Sequence, residues 1–423
     1  MHIIKKTLEN GVRIVCAPME GNPTATYMVM VRAGAFNEQA ETSGISHFLE
    51  HMSFKGTNKR PLQKDMALFL DSIGASYNAW TGKECTAYFA KAHVRHFDAI
   101  ADVISDIYLN PILPDAEIEK ERGVILGEID MYDDEPQEKV WDALIRLMYG
   151  DDQPAGWETL GTKENVRRFG REDFLKYRAS HYKAENTIVV IAGGMGVDSA
   201  MKTTESLFSK IPSGITPPRL PVKEEGVGGR VVIVDRDTEQ AHIAIGFRAF
   251  NKFDNDRYAL SVMRTVLSGG MSSRLWQSLR EERGSGYYLG ANYALHDVHG
   301  RFNIFTGTEC ARVSEILGVI LGEVRKLKEE KVSDSELKKV KDFIAGKRAM
   351  SLETSDDVAE FIGDQEIEYG TIQTLDEIMA RIMAITADDI QRVAQRVFVD
   401  GGAYVSIVGK GIDEKAVHVT LGA

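Results

Sequence analysis

Hydrophobic and polar positions follow two different periods along the chain. Short apolar runs at 12–16 and 25–31 predict strands, whereas segments with an apolar residue every three or four positions predict helices. In the first half the predicted order is two strands, a helix, hairpin-like strands over 76–93, several helices and a closing strand over 188–193. This mixture predicts an α+β fold, with helices packed on a mostly antiparallel, mixed sheet.

The same pattern occurs twice. Arg32-Ala33 aligns with Arg248-Ala249 at an offset of 216 (248 − 32), and the run 188–193 aligns with 404–409 at the same offset (404 − 188). A segment rich in proline, glycine and charge over 213–228 separates the copies and predicts a linker. We therefore predict two duplicated domains, residues 1–212 and 229–423.

Composition narrows the classes of protein. A chain of 423 residues with 43% hydrophobic content can bury a sizeable core. A net charge of −12 without a strong basic run argues against nucleic acid as the main partner. Cys16, Cys85 and Cys310 are too few for a disulfide framework and favour a reducing compartment. The chain has no long apolar run and no apolar signal segment at its start, so we expect a cytoplasmic protein that does not enter a membrane.

One predicted helix carries metal-binding chemistry. Residues 47–51 are His-Phe-Leu-Glu-His. On a helix, His47 and His51 lie one turn apart on the same face, with Glu50 beside them. Two imidazoles leave a catalytic zinc ion one protein ligand short, so a third ligand is expected elsewhere. The order H-x-x-E-H is the inverse of the zincin motif, which makes a zinc peptidase the leading hypothesis.

A second predicted helix, over 114–131, offers the missing ligand. Its Glu121 and Glu128 are two turns apart and point in nearly the same direction, so either could bind the metal while the other supports it. Asp115 can cap this helix. Thr42 and Ser43 are N-cap residue types, and we expect them at the start of the helix that carries the histidines.

The second copy contains no equivalent ligands. The offset of 216 carries His47, Glu50 and His51 onto Met263, Val266 and Leu267, and carries Glu128 onto Ile344 or, in a better local alignment, onto Lys347. None of these side chains is a usual zinc ligand. One metal site per chain is predicted, in the first half.

These residues together resemble the pitrilysin, insulysin and mitochondrial processing peptidase family, the inverzincins, over essentially the whole chain. In that family a glutamate ligand follows the motif after about 75 residues, and here 76 residues (52–127) separate His51 from Glu128. The resemblance implies that His47, His51 and Glu128 bind one Zn²⁺ per chain. It also implies that Glu50 is the general base and that Glu121 is an accessory residue.

Two further segments resemble parts of the family. Residues 74–81 are similar to an edge strand on which an extended substrate pairs through its backbone, which implies substrate binding by Asn78, Ala79 and Trp80. In the second half, Arg280 and Tyr287 match an arginine-tyrosine segment. By resemblance they orient the substrate and stabilise the developing oxyanion.

The resemblance implies a zinc metalloendopeptidase that hydrolyses peptides or unfolded segments. A single two-domain unit is similar to the small bacterial, processing-peptidase-like branch, which implies a homodimer that closes like a clamshell. The alternative is a non-catalytic assembly or presequence-binding subunit, since the family includes members that have lost their ligands. The sequence does not determine the physiological substrate or the cleavage preference.

Overall fold

The computed structural model describes residues 1–224, 230–286 and 288–422. The first half of the chain forms the strands β1 (Ile4–Thr7), β2 (Arg13–Pro18), β3 (Thr24–Val31), β4 (Ser76–Thr81), β5 (Thr86–His93) and β6 (Thr187–Gly193), and the helices α1 (Ile45–Ser53), α2 (Gln63–Ser72), α3 (Phe97–Leu109), α4 (Asp115–Asp134), α5 (Pro136–Tyr149), α6 (Lys163–Arg168), α7 (Arg171–His181) and α8 (Val197–Phe208). The second half forms the strands β7 (Val231–Asp235), β8 (Ala241–Ala249), β9 (Leu289–Leu295), β10 (Gly300–Thr308) and β11 (Tyr404–Gly409), and the helices α9 (Arg257–Ser268), α10 (Val313–Glu329), α11 (Asp334–Met350), α12 (Ser355–Tyr369), α13 (Leu375–Ala384), α14 (Ala387–Val397) and α15 (Glu414–Leu421).

Each half of the chain forms one sheet, and the two sheets share a strand order. The first is β1-β2-β6-β3-β5-β4 and the second is β7-β11-β8-β10-β9. The pairs β2–β6 and β7–β11 are parallel, and the other described neighbours are antiparallel. With β1 set aside, the orders correspond strand for strand. The predicted fold class, two duplicated domains with mostly antiparallel mixed sheets, is confirmed.

The central strand β6 carries a continuous apolar run because both of its faces are covered. Every residue of β6 is buried. Val189 and Ile191 face the core that contains α3, whereas Val190 faces the core that contains α12. A strand buried on both faces shows a continuous apolar run in place of alternation. This is why the run 188–193 is so clear in the sequence.

The compact units of the structure combine segments from both halves. One unit holds residues 1–130, 157–220 and 349–374, and the other holds 131–156, 221–348 and the chain from 375 onward. Helix α12 packs on β3 and β6 of the first sheet, and α5 packs on β8 and β11 of the second. A sequence repeat does not reveal such a distribution of helices. The boundaries 1–212, 213–228 and 229–423 follow the duplication and stay a prediction.

Glycine permits both of these helix–sheet contacts. A Cβ on Gly363 of α12 would lie 2.7 Å from Sδ of Met30 on β3. In the second unit, a Cβ on Gly246 of β8 would lie 2.4 Å from Sδ of Met148 on α5. Because close-packed interiors leave no room for an extra methyl group, a glycine on one side of each contact lets the helix approach the sheet.

Two expectations from the sequence concern membrane-spanning helices and disulfide bonds. Among the described helices, none is long and apolar enough to cross a bilayer. All three cysteines are free thiols, and Cys16 and Cys85 are buried.

Candidate metal centre

Helix α1 carries the H-x-x-E-H motif on a well-packed support. Ile45, Phe48, Leu49 and Met52 are buried in the core of the first unit. The ring of Phe48 meets that of Phe174 edge-on, with 5.0 Å between centroids. An apolar stripe packed in this way fixes the rotation of a helix about its axis. The polar side chains of the motif are thereby turned toward α4 and β4.

The three predicted ligands converge between α1 and α4. Nε2 of His47 and Nε2 of His51 lie 3.7 and 3.8 Å from Oε2 of Glu128. All three ligand atoms lie within 4.8 Å of one another. These separations exceed a hydrogen bond and are close to the roughly 3.4 Å expected between two ligands of one tetrahedral zinc ion. Two imidazoles and a carboxylate are also a donor set that zinc accepts, so the site fits the metal.

Glu121 holds His51 from behind. Its Oε1 lies 2.8 Å from Nδ1 of His51, and its Oε2 lies 2.6 Å from Nζ of Lys55. Burial alone would raise the pKa of Glu121, but its bonds to His51 and Lys55 lower it. A carboxylate at Nδ1 fixes the ring and leaves Nε2 as the ligand atom. Glu121 therefore contacts a predicted ligand, whereas Glu128 belongs to the cluster of predicted ligands itself.

The two histidines have different electrostatic surroundings. Burial, followed by the neighbouring His51, lowers the pKa of His47 to about 4. Burial also acts to lower the pKa of His51, but the bond to Glu121 and the charges of Glu50 and Glu128 outweigh it, so that pKa is raised. A neutral imidazole is the form that binds metal. With a pKa of about 4, His47 is neutral near pH 7, so no proton competes with a metal ion for its ring nitrogen.

Glu50 stands beside the ligands without belonging to their cluster. Its Oε2 accepts a hydrogen bond of 2.6 Å from Oγ1 of Thr81, the last residue of β4. Burial is the main cause of the raised pKa of Glu50, and the nearby charge of Glu128 adds to it. A carboxylate with a raised pKa is a stronger base, which suits a group that must accept and return a proton.

The start of α1 differs from the prediction. The N-cap residue is Gly44, with φ +97°, and it makes no side-chain cap. Thr42 does not cap this helix, because its Oγ1 accepts a bond from Gln39 N in the preceding turn. The carboxylate of Glu38 takes the capping role by accepting bonds from Gly44 N (2.8 Å) and Ser46 N (2.9 Å). The expectation for Thr42 and Ser43 was therefore wrong, since the cap comes from Glu38, seven positions before the first residue of the helix.

Glu38 gives the structure a pH-dependent stability. It is 1% exposed, and burial raises its pKa from 4.5 to about 7. The folded chain then keeps a proton that the unfolded chain has lost, so the free energy of unfolding falls as the pH rises from about 4.5 to about 7, by about 3 kcal/mol. Glu38→Gln should lack this decline. Denaturant unfolding of both proteins over this range, in excess zinc, measures the difference; parallel pH curves would contradict it.

The predicted substrate strand lies at the edge of the first sheet. β4 is the last strand in the order and pairs with β5 on one side. Ala79 faces the core that contains α1, and Trp80 packs on the side that contains α12. Asn78 is exposed. An edge strand of this kind presents the backbone groups that an extended peptide needs.

Of the two residues predicted in the second half, Arg280 is described and lies in the other unit. Arg280 is exposed in a π-helical segment, Trp276–Glu281, and Tyr287 lies outside the described residues. Their roles stay predictions. The counterparts of the motif, Met263, Val266 and Leu267, are buried in the core on α9. Within the described residues, the His47–His51–Glu128 group is the one cluster of such side chains placed to hold a metal.

Three residues at the site were not among the sequence-based predictions of its members. Lys55 follows His51 by four positions, so helical spacing could have found it. Thr81 ends the predicted substrate strand, but its bond to Glu50 depends on the distance between β4 and α1. Glu38 carries no local signal, because a carboxylate in a loop is ordinarily solvated. Only tertiary packing brings its carboxylate to the start of α1.

Two family models match the chain. The model of insulinase (peptidase family M16) matches residues 13–163, and that of the peptidase M16 inactive domain matches residues 168–343. YmxG of Bacillus subtilis, described as an uncharacterized zinc protease, is 31% identical over 417 residues, which cover 97% of this chain and 99% of the relative. An uncharacterized zinc protease of Rickettsia felis is 32% identical over 392 residues, 92% of this chain and 94% of the relative. The chain belongs to peptidase family M16, which confirms the family resemblance found in the sequence.

Solved structures show the same fold. A protease from Helicobacter pylori superposes with a TM-score of 0.88 at 22% identity, covering 96% of this chain and 99% of that one. A putative M16-like peptidase from Alicyclobacillus acidocaldarius gives 0.85 at 22% identity, with 96% and 98% covered. A chain of complex III2 from Candida albicans gives 0.83 at 19% identity, with 99% and 100% covered. The fold is therefore shared well beyond the named proteases.

Proposed function

We propose that the protein is a zinc metalloendopeptidase that hydrolyses peptides or unfolded segments. One observation carries the proposal: the two histidines and Glu128 meet at distances suited to a single ion, with the Glu50 carboxylate beside them. The ligand set is complete, which favours an enzyme over the non-catalytic subunit that the family also contains. The relatives named zinc proteases support the same conclusion.

His47, His51 and Glu128 would hold the metal. Bound zinc supplies Lewis-acid chemistry, lowering the pKa of water toward neutrality and polarising a carbonyl. Glu50 would accept a proton from the attacking water and pass it to the leaving amine. Thr81 keeps the second oxygen of Glu50 occupied, so the carboxylate has one orientation. Glu121 prevents rotation of the His51 ring.

Substrate binding is proposed for the edge strand β4. Backbone pairing at Asn78, Ala79 and Trp80 would extend the sheet by one strand and would tolerate many sequences. Arg280 and Tyr287 are proposed to orient the peptide and to stabilise the oxyanion. A homodimer and a cytoplasmic location complete the proposal; three free thiols agree with a reducing compartment.

Metal removal tests the proposal. The zinc-loaded protein is expected to cleave a mixed peptide library, with the products mapped by mass spectrometry. Cleavage should disappear after chelation and return when one zinc ion per chain is restored. The reason is that the remaining side chains lack the Lewis acid that the reaction needs. Metal content is measured alongside. No cuts by a fully zinc-loaded chain would favour the non-catalytic subunit.

A further inference from the structure

Two loops of the first unit are joined edge to edge. The turn between β4 and β5, residues 82–85, accepts bonds from the loop before α1 at Ala35 N→Gly82 O (3.2 Å) and Phe36 N→Lys83 O (2.8 Å). Gly34 permits this approach, because a Cβ there would lie 2.4 Å from Gly82 O. The two loops are therefore joined directly through their backbones.

Each loop leads directly to a site residue. Thr81, which binds Glu50, immediately precedes Gly82. At the end of the other loop, Glu38 caps α1 through Gly44 N and Ser46 N. The relative position of the two loops thus sets the distance from the edge strand to the helix that carries the metal ligands.

A side chain from a distant part of the sequence holds both loops. Arg219 donates from Nη1 to Oε1 of Glu84 (2.7 Å) and from Nη2 to the Glu84 carbonyl oxygen (2.7 Å). Its Nε donates to Oδ1 of Asn37 (3.3 Å), which also accepts from Gly34 N. The side chains of Arg219 and Glu84 are only 18% and 10% exposed. The sequence places Arg219 in the predicted linker, where a solvated arginine would be expected.

We propose that Arg219 is a positioning residue for the active site: by binding the turn after β4 and the loop before α1 at once, it fixes the substrate strand and the Thr81 hydroxyl relative to Glu50. The inference rests on the proposed peptidase function. Charge-assisted bonds from a planar guanidinium are strong and directional, and they are little screened where both partners are mostly buried. Lysine presents a single ammonium and does not reproduce this three-point geometry.

The simpler role for Arg219 is to anchor the linker to the first unit. Anchoring predicts a loss of stability without a change in the chemistry at temperatures far below unfolding. Positioning predicts in addition a lower kcat/KM, because displacements of about 1 Å at a reacting group cost on the order of a hundredfold. The two roles therefore separate in kcat/KM, whereas faster local hydrogen exchange is compatible with both.

The experiment compares Arg219→Ala and Arg219→Lys with Lys223→Ala in the full, zinc-loaded chain. Lys223 is a matched control because it is a cation in the same predicted linker. Its side chain is 72% exposed, and that of its ion-pair partner Asp152 is 67% exposed. Three quantities are measured: zinc per chain, kcat and KM for one library peptide, and hydrogen exchange of the segments 33–46 and 79–86. Arg219→Ala should keep its zinc, lower kcat/KM at least tenfold and speed exchange in both segments. Arg219→Lys should fall between, and Lys223→Ala should match wild type within twofold.

A double variant sharpens the result. Arg219 and Thr81 share no hydrogen bond, but if Arg219 acts through the turn, its replacement should matter much less once Thr81→Val has removed the bond to Glu50. Fully multiplicative effects on kcat would overturn the proposal. Faster exchange with unchanged kcat/KM would also overturn it and leave the anchoring role.

The failure of the proposed function looks different. If zinc-loaded wild type cleaves no peptide, the peptidase assignment fails by itself. Hydrogen exchange then tests only whether Arg219 holds the two loops. Faster exchange of the Gly44 and Ser46 amides, which bond Glu38, in Arg219→Ala would support that contact, and unchanged exchange would overturn it.

Discussion

Glu50→Gln is expected to keep one zinc ion per chain and to lose a factor of about a hundred to ten thousand in kcat/KM, the range typical of a lost general base. The amide oxygen of glutamine can still accept the bond from Thr81, so the helix and the ligands should be undisturbed. An amide cannot take up a proton near neutral pH, so the attacking water stays intact. Peptide cleavage and metal content, measured on the same sample, test both halves of the expectation.

The same chemical change at an exposed position provides the control. Glu119 lies on α4 with its side chain 70% exposed, and Glu119→Gln should leave zinc content and cleavage at the wild-type level. The Glu50→Gln protein must also unfold at the wild-type denaturant concentration. A metal-loaded Glu50→Gln sample that turns over peptide at the wild-type rate would remove Glu50 from the mechanism.

Glu128→Gln is expected to weaken zinc binding far more than Glu121→Gln. Loss of Glu128 leaves two imidazoles where a stable catalytic site uses three protein ligands. Glu121→Gln leaves all three ligands and replaces the carboxylate at Nδ1 of His51 by a neutral amide, a change of the kind that costs roughly 10- to 100-fold in metal affinity. Competition for zinc against a chromophoric chelator at one fixed pH measures the two affinities.

Lys55 requires its own control in that comparison. Its side chain is only 14% exposed and is paired with Glu121, so Glu121→Gln also leaves a poorly solvated cation beside the site. Lys55→Met combined with Glu121→Gln removes the cation with its partner. If the double variant binds zinc as weakly as Glu121→Gln, the loss belongs to the His51 contact. Equal zinc affinities for Glu121→Gln and Glu128→Gln would contradict the ranking.

Much of the fold was predictable because its signals are local and periodic. The predicted hairpin over 76–93 is the pair β4 and β5, and the run 404–409 is β11 with the same bounds. The run 25–31 differs from β3 by one residue. The duplication showed through aligned residues, and the matching sheet orders confirm it. The repeat could not show that α5 and α12 each pack on the sheet formed by the other half of the chain. Helix propensity predicts that a segment is helical but does not indicate which sheet it packs on.

The candidate site divides in the same way. Helical spacing within the H-x-x-E-H motif and on α4 determined, from the sequence alone, which side chains could hold a metal. Helical spacing left both glutamates open as ligands, because they share one helix face, and the family resemblance favoured Glu128. In the structure Glu128 reaches both histidines, whereas Glu121 bonds Nδ1 of His51. Three other contacts join segments that are separated along the chain and meet only in the folded structure. They are the cap from Glu38, the bond from Thr81 to Glu50 and the bonds from Arg219 to Glu84. The sequence determines the periodicity of apolar residues and so the helices and strands. The distances between side chains of different segments are set only when the core packs.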